Sequence, residues 1–339
     1  MKKLLVFVAL ACLLAVAPNA LFEQAEAVEE NGYYEYNAET GMEEYFVLQS
    51  ANSRSANVRS YETVERDSKG NIVSRTTQPQ NGTEKAKTAH NASLVPSLAL
   101  SGYFYDYDEI TDRSTVQHRA VGYIHVFRGT HDNGSEEWTY GTGFLEGPNL
   151  LVTAGHLCYD SVEDDNGEWG WTENLYFYPG AYTDDNGDQV YPYGSAQRNT
   201  IIVSPKWKDD GNNKYEWGIV TLKTAIGNRT GNLGKQWQSS SYVGTEVVVT
   251  GYPRLYGMAQ DIFYMYESSG SVVSNTKYIL DCNYDSYRRA SGSPVFLEGT
   301  GIVIGIQSRA DANYCYAVRI TEDLYDLLQE KLDAYLDSQ

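Results

Sequence analysis

Five histidines occur in the chain, at His90, His118, His125, His131 and His156, and the last ends an apolar run, Leu151-Val152-Thr153-Ala154-Gly155-His156. The small residues before it allow another chain or a substrate to approach closely. An imidazole is the side chain best matched to proton transfer near neutral pH. In Arg288-Arg289-Ala290-Ser291-Gly292-Ser293-Pro294-Val295-Phe296, Ser291 stands on a Gly/Ser/Pro turn that leads into an apolar strand. Such a turn lifts a hydroxyl clear of the backbone and aims successive N–H groups into one space, as an oxyanion hole requires. A third stretch, Asn213 to Leu222, places Glu216 just ahead of a buried-looking strand. A carboxylate there holds an imidazole in one tautomer and stabilises its charged form. Taken singly, these are also a satisfied strand-end histidine, an ordinary Ser-Gly turn and a solvated glutamate. The joint order His156, Glu216, Ser291 is far more specific than any member.

The elements that must carry these residues are strands. Apolar runs of strand length recur at Val121–Phe127, Leu150–Ala154, Leu175–Tyr178, Ile201–Val203, Ile219–Leu222, Glu246–Gly251, Ile262–Tyr266, Tyr278–Leu280, Ile302–Ile306 and Tyr314–Val318, separated by Gly, Asn, Asp and Pro clusters. With almost no helical periodicity between them, the fold class is all-β, a sandwich or barrels. The exception is the tail: Thr321 suits an N-cap, Glu322 and Asp323 suit the first turn, and Leu324, Leu327, Leu328, Leu332 and Tyr335 form one stripe. One amphipathic C-terminal helix is expected, packed on the barrel.

Composition narrows the function. With 42% hydrophobic and 21% charged residues the chain of 339 residues is globular, and its net charge of −19 repels nucleic acid and anionic lipid. Lys2 and Lys3, an apolar run from Leu4 to Ala17 and the Ala25-Glu26-Ala27 site read as a secretory signal over 1–27. The run is too short for a membrane anchor. From about Val28 to Ser101 the sequence is polar, with β-like patches at Tyr45-Phe46-Val47-Leu48 and Ile72-Val73, and residues 28–108 read as a propeptide or a flexible N-terminal segment. The better-patterned region, 109–339, is the main domain. After the signal, Cys158, Cys282 and Cys315 permit at most one bridge. Cys282 and Cys315 bracket the Ser291 turn and are the better pair, three reduced buried thiols being the alternative. No metal-ligand spacing or phosphate-cradling loop occurs, so no metal and no cofactor is expected.

Thr153-Ala154-Gly155-His156, Tyr215-Glu216-Trp217-Gly218 and Ser291-Gly292-Ser293-Pro294-Val295 resemble the signatures of the trypsin-like serine peptidases of chymotrypsin fold. More narrowly, they resemble those of the secreted bacterial glutamyl endopeptidases. Gly141-Thr142-Gly143-Phe144 with Gly147-Pro148-Asn149, and Thr111-Asp112-Arg113, add to the likeness, which covers about residues 109 to 320. The resemblance implies two antiparallel β-barrels with a catalytic cleft between them. It implies His156 as general base and acid, Ser291 as nucleophile, Glu216 as the orienting acid, and the N–H groups of Arg289 and Ser291 as oxyanion donors. Ser286 and Gln307 match the residues that grip the substrate side chain.

The departures are specific. Glu216 replaces an aspartate, with Asp160, Asp209 and Asp210 as fallback acids. Arg289 replaces a glycine where positive φ is costly for any other residue. Cys158 is displaced by Leu157, and Gln307 replaces a histidine, which leaves the preference for acidic residues open between an acidic and a relaxed one. The function read is a secreted, extracellular, monomeric serine endopeptidase made as a zymogen and acting on protein or peptide substrates, with no nucleic-acid or membrane partner. The alternative is a catalytically weak or inactive peptidase homologue acting as a secreted binding module. An esterase on another fold would need a G-x-S-x-G elbow, and Arg289 and Ser293 occupy its glycine positions.

Overall fold

A computed structural model of the chain describes residues 32–37, 39–47, 58–60, 63–66, 72–76, 107–131, 133–161, 170–255, 258–259 and 261–339. The expected signal, 1–27, lies outside the described residues. Before the main domain come a hairpin, β1 (Gly32–Asn37) and β2 (Met42–Val47), and the short strands β3 (Val58–Ser60), β4 (Thr63–Arg66), β5 (Ile72–Thr76) and β6 (Asp108–Glu109). The first barrel is built from β7 (Val121–Thr130), β8 (Glu136–Leu145), β9 (Leu150–Ala154), β12 (Asn174–Pro179), β15 (Ala196–Val203) and β16 (Trp217–Leu222). Two small ribbons, β10 (Tyr159–Asp160) with β11 (Gly170–Trp171) and β13 (Tyr182–Thr183) with β14 (Gln189–Val190), project from it. After β17 (Gly234–Gln238), the second barrel comprises β18 (Glu246–Gly251), β19 (Tyr266–Asn275), β20 (Ile279–Cys282), β21 (Pro294–Leu297), β22 (Ile302–Ala310) and β23 (Cys315–Arg319).

Both six-stranded sheets are antiparallel and closed. The first runs β12-β7-β8-β9-β16-β15 and returns through a β12–β15 pairing; the second runs β21-β18-β19-β20-β23-β22 and returns through β21–β22. Closure removes open edges, the usual hazard of antiparallel sheets. The main apolar core fills the first barrel and continues between the barrels, while a second core lies inside the second barrel. The C-terminal helix, Glu322–Asp337, is capped by Thr321, whose Oγ1 accepts from Leu324 N. It buries Leu324, Leu327, Leu328 and Leu332 as expected and Tyr325 in addition, while Tyr335, expected in the same stripe, is only half-buried near the helix end.

Two readings change. The expected strand Ile262–Tyr266 is instead extended coil, and the strand begins at Tyr266. Phe263 and Met265 are apolar there because they are buried, and the backbone of Phe263 pairs with Thr183 rather than with a ladder. The segment 28–108 is also not a free arm where it is described. β1 pairs with β15 along Tyr34↔Val203 to Asn37↔Thr200, β3 pairs with β17, and β6 pairs with β19, so the boundary drawn at 108/109 falls inside a strand.

Candidate active site

His156 sits in the 3₁₀ turn Gly155–Leu157 that ends β9. The glycine before it is demanded by packing, since a Cβ there would lie 2.9 Å from the Trp207 ring. The His156 carbonyl accepts from the Arg128 guanidinium, which ties the turn to β7. The imidazole remains 34% exposed, enough for a substrate to reach it.

Glu216 lies between the 3₁₀ turn Asn213–Tyr215 and β16, at φ −80° and ψ 64°, the bend of an inverse γ-turn. Its Oε1 pairs with His156 Nδ1, and its Oε2 accepts from Ser308 Oγ. The longer side chain is thus absorbed with both oxygens satisfied. Burial alone pushes the Glu216 carboxyl up. The hydrogen bond and charge of His156, with Ser308 Oγ–H, outweigh it and hold the group below the usual carboxylate range. The fallback acids Asp209 and Asp210 face Lys208 and Lys206 instead.

Ser291 is brought to the same place through Ser308. Its Oγ–H donates to the Ser308 carbonyl at 3.1 Å, so Ser308 touches Ser291 with its backbone and Glu216 with its side chain. The turn is pinned to the first barrel, as Thr142 N donates to Ser291 O at 2.9 Å and Thr142 Oγ1 to Arg289 O at 2.9 Å. Gly292 has φ +87°, and a Cβ on it would fall 2.0 Å from Thr142 O. No other residue fits there.

Arg289 is the one non-glycine residue with positive φ among the described residues, at 75°. It therefore takes the conformation that its glycine-like position calls for. Arg288 O accepts from Arg254 N at 2.7 Å, and Ala290 O accepts from Ser293 N at 3.0 Å. A trans peptide points its N–H opposite to its C=O, so both anchored carbonyls turn the N–H groups of Arg289 and Ser291 away from these partners. The Arg289 guanidinium lies 4.5 Å from the centre of the Tyr140 ring.

Beside Ser291 opens a cavity of about 590 Å³, lined by residues 283–288 and 307–315. Ser286, Gln307, Arg288 and Arg309 all line it. The Gln307 amide is engaged within the protein: Oε1 accepts from Tyr284 OH, and Nε2 donates to Arg309 O at 2.9 Å. Asp311, also at the cavity, is held below the usual carboxylate range by Tyr316 OH and the N–H groups of Asn313 and Tyr314.

The expected Cys282–Cys315 bridge is not formed. The two residues are register partners, yet all three cysteines are buried free thiols, and Cys315 Sγ is turned to the Tyr284 carbonyl at 3.0 Å. Sequence reasoning missed Ser308 and Thr142 as parts of the site. The signal was present in each case as a hydroxyl among apolar or glycine neighbours, Ile304-Gly305-Ile306-Gln307-Ser308 and Gly141-Thr142-Gly143.

A family model described as Trypsin matches residues 116–324. The chain is 28% identical to a glutamyl endopeptidase of Bacillus licheniformis over 257 residues, 72% of this chain and 73% of that protein. It is 32% identical over 198 residues to a Bacillus subtilis protein named extracellular metalloprotease, covering 56% of this chain and 58% of the other. A solved structure of a Glu endopeptidase in complex with MPD superposes with a TM-score of 0.56 at 19% identity, over 68% of this chain and 97% of the other. With the two closed barrels and the His156, Glu216 and Ser291 segments inside the matched span, the chain belongs to the trypsin family of serine endopeptidases.

Proposed function

We propose that the protein is a secreted serine endopeptidase, made with an N-terminal prosegment, that hydrolyses peptide bonds through an acyl-enzyme on Ser291. The Ser291 hydroxyl leaves the Ser308 carbonyl by rotation about χ1 and attacks the scissile carbonyl while His156 takes its proton. His156 then protonates the leaving amine, and water releases the acyl group by the same route. Glu216 holds the imidazole, and the N–H groups of Arg289 and Ser291 receive the oxyanion. The observation that carries this reading is the chain of contacts from Ser291 through Ser308 to Glu216 and His156.

A fluorophosphonate probe tests it. Protein with a sequenced, processed N-terminus is expected to label at Ser291, and Ser291→Ala to abolish labelling. Absence of both labelling and proteolysis would leave the binding-module reading in its place.

For the residue before the cut bond we propose an acidic side chain. Support comes from Arg288, Arg309 and Ser286 at the cavity, from the saturation of Asp311 by its own turn, and from the likeness to a glutamyl endopeptidase. Cleavage-site profiling on a peptide library is expected to show Glu or Asp at that position. Equal cutting after neutral residues would overturn it.

A further inference from the structure

The hairpin Gly32–Val47 belongs to the segment expected to be removed, yet it is built into the first barrel. β12 and β15 close that barrel through only two residue pairs, Tyr176↔Gln197 and Phe177↔Ala196. β1 pairs with the second half of β15, from Thr200 to Val203, all four residues buried. Without β1 those backbone groups would form an unpaired edge.

The side chains match in charge. On a chain of net charge −19, the hairpin's Glu35, Glu39 and Glu43 each meet a lysine of the main domain: Lys331 at 2.8 Å, Lys223 at 2.9 Å and Lys208 at 3.3 Å. Tyr33 is 3% exposed, stacked on Phe46 and covered by the Lys331 ammonium. Separate exposed ion pairs contribute little, but here they flank a continuous ladder and a buried ring.

The contacts fall on the two loops that carry His156 and Glu216. Lys208 and Asp209, in the stretch that ends at Glu216, meet Glu43 and Tyr34. Trp171, whose strand pairs with Tyr159 just after His156, stacks on Tyr36 at 5.1 Å and donates its indole N–H to Glu43. The two loops are tied to each other by Trp207 Nε1 donating to Tyr159 O at 3.0 Å, and Trp207 packs on Gly155 beside His156. No hairpin residue lines the cavity beside Ser291.

We infer that the hairpin 32–47 is a resident part of the peptidase fold, one that stays bound as a second, non-covalent chain after the polypeptide is cut ahead of the main domain. It clamps the loops of His156 and Glu216 through Trp171 and Lys208. Tyr36 and Glu43 are positioning residues. The inference rests on the proposed processing of the segment, and its first test needs no catalytic activity.

A site for a specific protease is introduced between residues 77 and 106 of the full chain carrying Ser291→Ala, the chain is cut, and the products are separated by size exclusion without denaturant. Co-elution of the N-terminal fragment with the main domain is expected. Separation of the fragment from a domain whose unfolding midpoint is unchanged would overturn the inference. In the active chain, Tyr36→Ala with Glu43→Ala is expected to lower kcat about tenfold at unchanged KM. Glu39→Ala, which removes only the Lys223 pair, is expected to leave kcat alone. Equal kcat for both variants would remove the clamp.

Discussion

Substitution at Arg289 inverts the usual order of alanine and glycine. A residue other than glycine at φ 75° costs about 1–2 kcal/mol of backbone strain. Its guanidinium over the Tyr140 ring, 4.5 Å from the centroid, returns about 0.5–2 kcal/mol, depending on how fully the pair is desolvated. Arg289→Ala loses the ring contact and keeps the strain, so a loss of about 1 kcal/mol is expected. Arg289→Gly loses the same contact but relieves the strain, and should fall near the parent. Thermal unfolding on a Ser291→Ala background, which prevents self-cleavage, measures the difference. For a domain of this size about 1 kcal/mol shifts Tm by roughly 2–4 °C, with glycine above alanine. Because Arg288 O and Ala290 O are anchored independently of the side chain, both variants should also keep turnover within a few-fold of the parent. Greater stability of alanine than of glycine would refute the backbone argument. A fall of about 100-fold or more in the glycine variant would refute the placement of the oxyanion donors.

Three further outcomes are expected. Glu216 has a folded pKa held below its ordinary value, so its ionisation contributes stability above the carboxylate range that is lost as pH falls through the folded pKa. Ser308→Ala removes one of the bonds responsible, and acid unfolding should move to higher pH; an unchanged acid transition would refute the role of that bond. Lys235 and Glu146 form a fully buried ion pair, 2.9 Å apart, and burial pushes the Glu146 carboxyl up to about 6. Lys235→Met should cost about 3–5 kcal/mol at neutral pH in urea unfolding. Lys235 is what lowers that carboxyl, so without it Glu146 takes up its proton at higher pH; the cost should shrink as pH falls toward about 6 and level off there, and a cost independent of pH would refute the pairing. Burial pushes the Cys158, Cys282 and Cys315 thiols each up to about 12. All three should resist alkylation in the native protein and react once it is unfolded without reductant; a single reactive thiol among them would reveal a Cys282–Cys315 bridge.

The local features of this protein were legible along the chain because they depend on near neighbours. Runs such as Leu150–Ala154 and Ile219–Leu222 prefer extended backbone on local grounds and are strands here, and Thr321 caps a helix with residues three positions on. The Ser291 turn and the strand-end His156 could be read for the same reason, and the order of His156, Glu216 and Ser291 carried the family likeness. Other features turn on contacts between residues far apart. Ser308 joins Ser291 to Glu216 only when β22 of the second barrel comes against the first, and Cys282 and Cys315 are register partners that remain free thiols, with Cys315 Sγ turned to the Tyr284 carbonyl. Polar residues 32–47 looked uncored because their partners, β15 and three lysines, lie more than 150 positions away. A sequence by itself specifies which segments prefer extended backbone and which side chains have suitable chemistry. Which unpaired edge, charge or ring each of them meets is decided only when the chain folds, since burial and pairing are properties of the space it encloses.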